Sequence, residues 1–245
     1  MNELALTKKN KQRSTARTFY MLTVVAALIA VAPFVFGQPF AAAPAMSFLG
    51  IFLTLFFFVA AIMFARRAKK MDSLQTGEKL LAHLEMTDEM KKQYATTLRD
   101  ESRVKNKAMM WIISVLFGIV IIPFLFFLKT DEIGGFLLIM GSVLLIVFSA
   151  SKFFPGYYYR KNLKGDNQIL IGEKYAYFNG YFHNWDYPLS GLTKVKAIKK
   201  PFHGIQLAYF YTDLTWRHTH EIKFPLPKNF DPNPIVEQLR SSNRK

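Results

Sequence analysis

Four long apolar runs, residues 18–36, 46–65, 108–128 and 135–153, alternate with polar segments along the chain. Hydrocarbon about 30 Å thick takes roughly 20 apolar residues at about 1.5 Å rise each, so every run predicts a transmembrane helix. Between the second and third runs the spacing is amphipathic instead: Leu80, Leu81 and Leu84, then Met90, Tyr94 and Leu98, recur on one face. Thr87 followed by Asp88 and Glu89 is N-cap chemistry with acids in a first turn. It divides this stretch into two predicted helices, 77–86 and 88–103, the second running on into the third span.

After Pro155-Gly156 the pattern changes to alternating aromatic and β-branched segments bounded by turn residues. A strand starts at Gln168, and strands over 174–178 and 181–185 flank Asn179-Gly180, a strong hairpin signal. Residues 192–198, 204–212 and 215–224 supply three more. Asp231 then caps a terminal helix with Pro232 at its first position, burying Ile235, Val236 and Leu239.

The predicted fold class is α+β: a four-helix transmembrane bundle of two hairpins with a cytoplasmic antiparallel β domain closed by a C-terminal helix. Its parts are a basic N-terminus (1–17), hairpin 1 (18–65), a cytoplasmic amphipathic helical linker (66–107), hairpin 2 (108–153) and the β domain (156–245). Pro33 and Pro123 fall at matching depths of spans 1 and 3, and Ser47-Phe48-Leu49 resembles Gly135-Phe136-Leu137. A parallel duplication of one hairpin and chance recurrence explain this equally well.

Charge then orients the chain. Five Lys and Arg face one acid in residues 1–17, eleven face seven in 66–107, and fourteen face seven in 156–245. The apolar runs and their outer turns, 37–45 and 129–134, are neutral in sum. Short loops rich in Lys and Arg stay inside, so both termini are expected in the cytoplasm of a multi-pass protein of the cell membrane. The first run followed by Ala41 to Ala45 also reads as a secretory signal, but it exceeds the roughly 7–15 residues of a signal core, and an uncleaved helix explains the basic loops better. With no cysteine, thiol catalysis, disulfides and thiolate metal sites are excluded.

The string Leu170-Ile-Gly-Glu-Lys-Tyr-Ala-Tyr-Phe-Asn-Gly-Tyr-Phe-His-Asn-Trp185, and Phe224-Pro-Leu-Pro followed by 232–239, resemble the C-terminal pleckstrin-homology-like domains of uncharacterised bacterial multi-pass membrane proteins. The resemblance covers the last third of the chain. It implies an antiparallel barrel closed by one helix and an inner-membrane setting, and no activity.

Candidate chemistry is sparse. In the interior of each run, away from its ends, the polar residues are Thr23, Thr54, Ser114, Ser142 and Ser149, with no Asp, Glu, Arg or His, which argues against proton-coupled transport. His218 and His220 share a strand face, with His183 and His203 in neighbouring segments. They form a weak metal candidate, set against ordinary surface histidines. Asp186, Asp213 and Glu221 read as surface carboxylates, because nothing pairs a nucleophile with a base; no cofactor is expected. Lys194, Lys196, Lys199 and Lys200, with Arg160, Lys161 and Lys164 below span 4, are candidates for anionic lipid head groups or a protein partner, against a purely orienting role. No nucleic-acid motif accompanies the charge. The leading expectation is a non-catalytic binding or scaffold module, with a small homo-oligomeric channel or transporter as the alternative and a metal-dependent enzyme third.

Overall fold

The computed structural model describes residues 10–35, 43–213 and 215–244. Lys8, Lys9, Phe36, positions 37–42 of the expected outer loop and Lys245 lie outside the described residues. The elements are α1 (Lys11–Val35), α2 (Ala43–Gln75), β1 (Leu80–Glu85), α3 (Asp88–Phe127), α4 (Thr130–Leu163), β2 (Gln168–Gly172), β3 (Tyr175–Phe178), β4 (Tyr181–Asn184), β5 (Ser190–Ile198), β6 (Gly204–Thr212), β7 (Arg217–Pro225) and α5 (Asn233–Ser242). The strands form two antiparallel sheets, ordered β1-β2-β3-β4 and β5-β6-β7. Helices α1 to α4 are each long and apolar enough to cross a membrane, so the chain is a multi-pass membrane protein. Two compact units divide the chain. One runs up to Ala82 and includes Leu170–Tyr177 and Phe182–Asn184; the other holds His83–Ile169, Phe178–Tyr181 and Trp185 onward.

In the first unit, small residues let α1 and α2 meet backbone to backbone. A Cβ placed on Gly50 would stand 2.6 Å from the Cα and N of Ala30. Phe19 stacks on Phe64 at 5.3 Å further along. Asn10 closes the pair with both ends of its amide. Its Oδ1 accepts from the N–H groups of Gln12 (2.9 Å) and Arg13 (3.2 Å), capping α1, while Nδ2 donates to Ala68 O (2.9 Å) and Asp72 Oδ1 (2.8 Å) on α2. Beyond its apolar run α2 continues to Gln75, and Met71 and Leu74 pack with Leu170, Tyr175, Tyr177 and Phe182.

Residues 77–86 are not a helix. Gly77 (φ 82°) and Lys79 (φ 58°) turn the chain out of α2, and Leu80–Glu85 becomes strand β1. Fewer than ten residues between that turn and the Thr87 cap are too few to sustain a helix alone. A sheet edge offers hydrogen bonds at once: Glu173 N donates to Lys79 O (3.3 Å) and Met86 N to Asn167 O (2.8 Å).

In the second unit the Thr87 cap is as expected, its Oγ1 accepting from Met90 N at 3.3 Å, and α3 runs unbroken into the apolar segment. Helix α4 also outlasts its predicted end. It passes through Pro155-Gly156 to Leu163, so the β region starts later than residue 156. Proline has no N–H for the carbonyl four residues back. That carbonyl, Ser151 O, takes the side-chain amide of Asn106 on α3 instead, at 2.9 Å.

The far end of α4 is a junction. Lys91, 8% exposed, sends its ammonium to Leu163 O (3.1 Å) and Gly165 O (3.3 Å), cationic compensation for a helix C-terminus. Asn179 and Gly180 (φ 48° and 97°) make the predicted turn, and Asn179 Nδ2 donates to Asn162 O at 2.8 Å. Tyr94 meets Phe178 edge to face at 4.8 Å, placing the amphipathic start of α3 against the protein's own aromatic core. Helix α5 buries Ile235, Val236 and Leu239 as predicted, but starts one residue later. Pro232 holds the cap position, and Asp231 Oδ1 accepts from Asn233 N at 3.1 Å.

Candidate functional site

Strands β6 and β7 pair without a register shift, setting Tyr209 opposite His220 and Tyr211 opposite His218. These residues share the face of Leu207 and Ile222, so the core surface of the sheet continues through buried Tyr209 to exposed Tyr211, His218 and His220. The rings stack: Tyr209–His220 at 5.6 Å, Tyr211–His220 at 5.4 Å and Tyr211–His218 at 5.2 Å.

His218 Nε2 lies 2.7 Å from Asp213 Oδ2, and His220 Nε2 lies 3.4 Å from the Tyr211 hydroxyl. Asp213 also accepts from Trp216 N (2.7 Å) and Thr215 N (3.1 Å). The Trp216 N–H, then His218 and the Thr215 N–H, hold its carboxyl below the usual value. The carboxylate thus organises the β6–β7 turn and orients one imidazole. The two histidines share the predicted face, yet among the described residues no group of three or more His, Cys, Asp or Glu assembles to hold a metal. His203 is elsewhere, its Nε2 2.8 Å from Phe230 O.

The predicted lysines fall into separate places. Lys194 and Lys196 lie on one face of β5, opposite Ala208 and Gln206, just past a bulge at Thr193. Lys199 and Lys200 are exposed in the turn to β6, whose Pro201 O accepts from Gln93 Nε2 at 3.3 Å. Arg160, Lys161 and Lys164 are exposed at the end of α4, with the Lys161 ammonium 5.2 Å from the Tyr181 ring centre.

Lys194 gains companions that the sequence reading missed. The bulged strand and the last turns of α5 enclose an open groove of about 380 Å³, where Lys194 faces Arg240 and Arg244 and none of the lining residues is acidic. Arg240 is pinned there, donating to Val195 O from Nε (3.1 Å) and a terminal nitrogen (2.7 Å). The i, i+4 spacing of Arg240 and Arg244 was the available signal. It is hard to tell from ordinary basic residues complementing a helix C-terminus.

No family model, curated protein or solved structure matches this chain.

Proposed function

We propose that this protein is a non-catalytic binding module anchored in a membrane, whose β5–α5 face takes an acidic segment of a protein partner. The observation that carries this is the groove of Lys194, Arg240 and Arg244, three cations with no acid among the lining residues. Six strands of the C-terminal region, β2 to β7, followed by one helix, support the pleckstrin-homology-like reading, with β1 joining their first sheet from residues 80–85; the bacterial inner-membrane setting rests on that resemblance alone. The basic segments beside the spans support cytoplasmic termini.

Distance argues for a partner in solution rather than the protein's own lipids. The Lys199–Lys200 turn meets α3 at Gln93, fifteen residues before the apolar run begins at Ala108. Along an unbroken helix that is about 22 Å. The Debye length at physiological ionic strength is about 8 Å, so these lysines feel little of a lipid surface at the foot of α3.

The channel alternative draws no support from three of the five polar residues named in the runs. Thr23, Thr54 and Ser142 each donate to the carbonyl four residues back in their own helix, at 2.8, 2.7 and 2.7 Å, leaving those hydroxyls committed within the helix.

The test is affinity capture with the full chain in lipid nanodiscs, comparing wild type with K194E/R244E, which reverses two of the groove's three cations and spares Arg240, the one bonded to Val195 O. A protein partner with an acidic segment, retained by wild type, released by salt and lost from the variant, is the expected result. Equal retention by both refutes this face as the binding surface.

A further inference from the structure

We propose that α3 and α4 hold the head-group phosphate of an anionic phospholipid between Arg103, Lys107 and Lys152. A second open pocket, about 430 Å³, lies between these helices and is lined by Arg103, Asn106, Lys107, Met110, Phe148, Ser151 and Lys152. Arg103 and Lys107 are one turn apart on α3, and Lys152 faces them from α4. The Asn106–Ser151 bond inside the pocket fixes the spacing of the two helices at this level.

The charge there is uncompensated by neighbouring acids. Asp100 pairs with Arg99 at 3.4 Å and Glu101 with Lys223 at 2.6 Å, and no acidic residue lines the pocket. Three cations converge on one opening.

Its depth identifies the source of the anion. The apolar run of α3 begins at Ala108, and that of α4 ends at Phe153. The cations therefore stand at the edge of the hydrocarbon, while Met110 and Phe148 lie on its apolar side. The Lys152 ammonium sits 4.5 Å from the Phe148 ring centre, its charge held at the wall of the pocket. A free phosphate would use the cations alone. A diacyl phospholipid uses both halves, its phosphodiester against the cations and its first methylenes against Met110 and Phe148. Basic pockets between spanning helices at this depth suit anionic head groups. This inference uses no residue of the β5–α5 groove, and either can fail without the other.

The test is native mass spectrometry of the delipidated full chain, titrated with phosphatidylglycerol, phosphatidylcholine or inorganic phosphate. Wild type should retain phosphatidylglycerol selectively. Each cation removed should lower its occupancy constant about fivefold, so R103Q/K107Q/K152Q should lose well over tenfold. K194Q/K196Q/K199Q removes the same charge elsewhere and should leave the lipid bound. Because the triple variant could disturb the helix pair, K152Q alone, which leaves the Asn106–Ser151 bond in place, should show the single fivefold step. Equal retention of phosphatidylcholine, equal loss in both triple variants, or displacement by equimolar inorganic phosphate would each overturn the assignment.

Discussion

Pro155 and Asn106 form a compensated pair whose coupling can be measured. Pro155 deprives Ser151 O of its helical donor, and Asn106 Nδ2 supplies one from the neighbouring helix at 2.9 Å. Interhelical hydrogen bonds in membrane proteins contribute about 0.6–1.7 kcal/mol, so Asn106→Ala should destabilise the chain by about 1 kcal/mol. In a Pro155→Ala background, residue 155 regains an N–H, Ser151 O is satisfied within α4, and the same Asn106→Ala should cost only a few tenths of a kcal/mol. Reversible unfolding of the four full-length chains in mixed micelles, driven by increasing dodecyl sulfate fraction, gives the cycle. Any change in packing when Pro155 is removed is common to both legs and cancels. The expected interaction energy, the difference between the two costs, is about 0.7 kcal/mol, or roughly threefold in the folding equilibrium. Additivity within about 0.3 kcal/mol would refute the claim that the amide replaces the bond that proline removes.

Three further outcomes follow from close contacts and one titration. Gly50→Leu should push α1 from α2 and lower stability by about 1–3 kcal/mol, read in the same micellar assay, because even a Cβ there meets Ala30 at 2.6 Å. Gly165→Ala should be at least as damaging, since its Cβ would fall 1.8 Å from Asn179 Oδ1 where the β3–β4 turn docks on α4; thermal unfolding of the full chain checks this, and an unchanged midpoint contradicts the packing. Asp213 is held below the ordinary carboxylate value of 3.8, so its ordering of the β6–β7 turn is complete above that value and is lost as pH falls through the lower, folded one. The Trp216 amide signal in a tryptophan-labelled sample should titrate with a midpoint below 3.8 and stop doing so in Asp213→Asn.

Where local chemistry sufficed, the sequence was enough. The apolar runs, the Thr87 cap, the Asn179-Gly180 turn, strand 204–212 and the buried side of α5 all follow from residues close together in the chain. The misreadings share one cause, a distant partner. Leu80, Leu81 and Leu84 fit a helical face, and only bonding at Asn167 and Glu173, more than eighty residues on, makes their segment a strand. Pro155-Gly156 looks like a helix end until Asn106 is placed beside Ser151. The histidines' shared face was legible from alternation, but the tyrosines stacked on them needed the β6–β7 register. Arg240 and Arg244 join Lys194 through the packing of α5 on β5, where Arg240 donates to Val195 O, forty-five residues back in the chain.

An excess of fifteen positive charges orients a membrane protein whatever else it does, so the question is which cations that role leaves over. The orienting effect is counted within roughly 15–20 residues of a span's end. Arg66, Arg67, Lys69 and Lys70 satisfy it after span 2, and Arg160, Lys161 and Lys164 after span 4. Lys194 to Lys200 begin some forty residues beyond Phe153, and Arg240 and Arg244 lie farther still, so topology gives no account of them. Arg103, Lys107 and Lys152 lie within the counted range, but orientation alone asks only for charge, not for three cations converging across two helices on a pocket with an apolar floor. No acidic residue lines either group, and depth separates the two anions we propose: a lipid head group at the hydrocarbon edge for one, a partner's acidic segment in solution for the other.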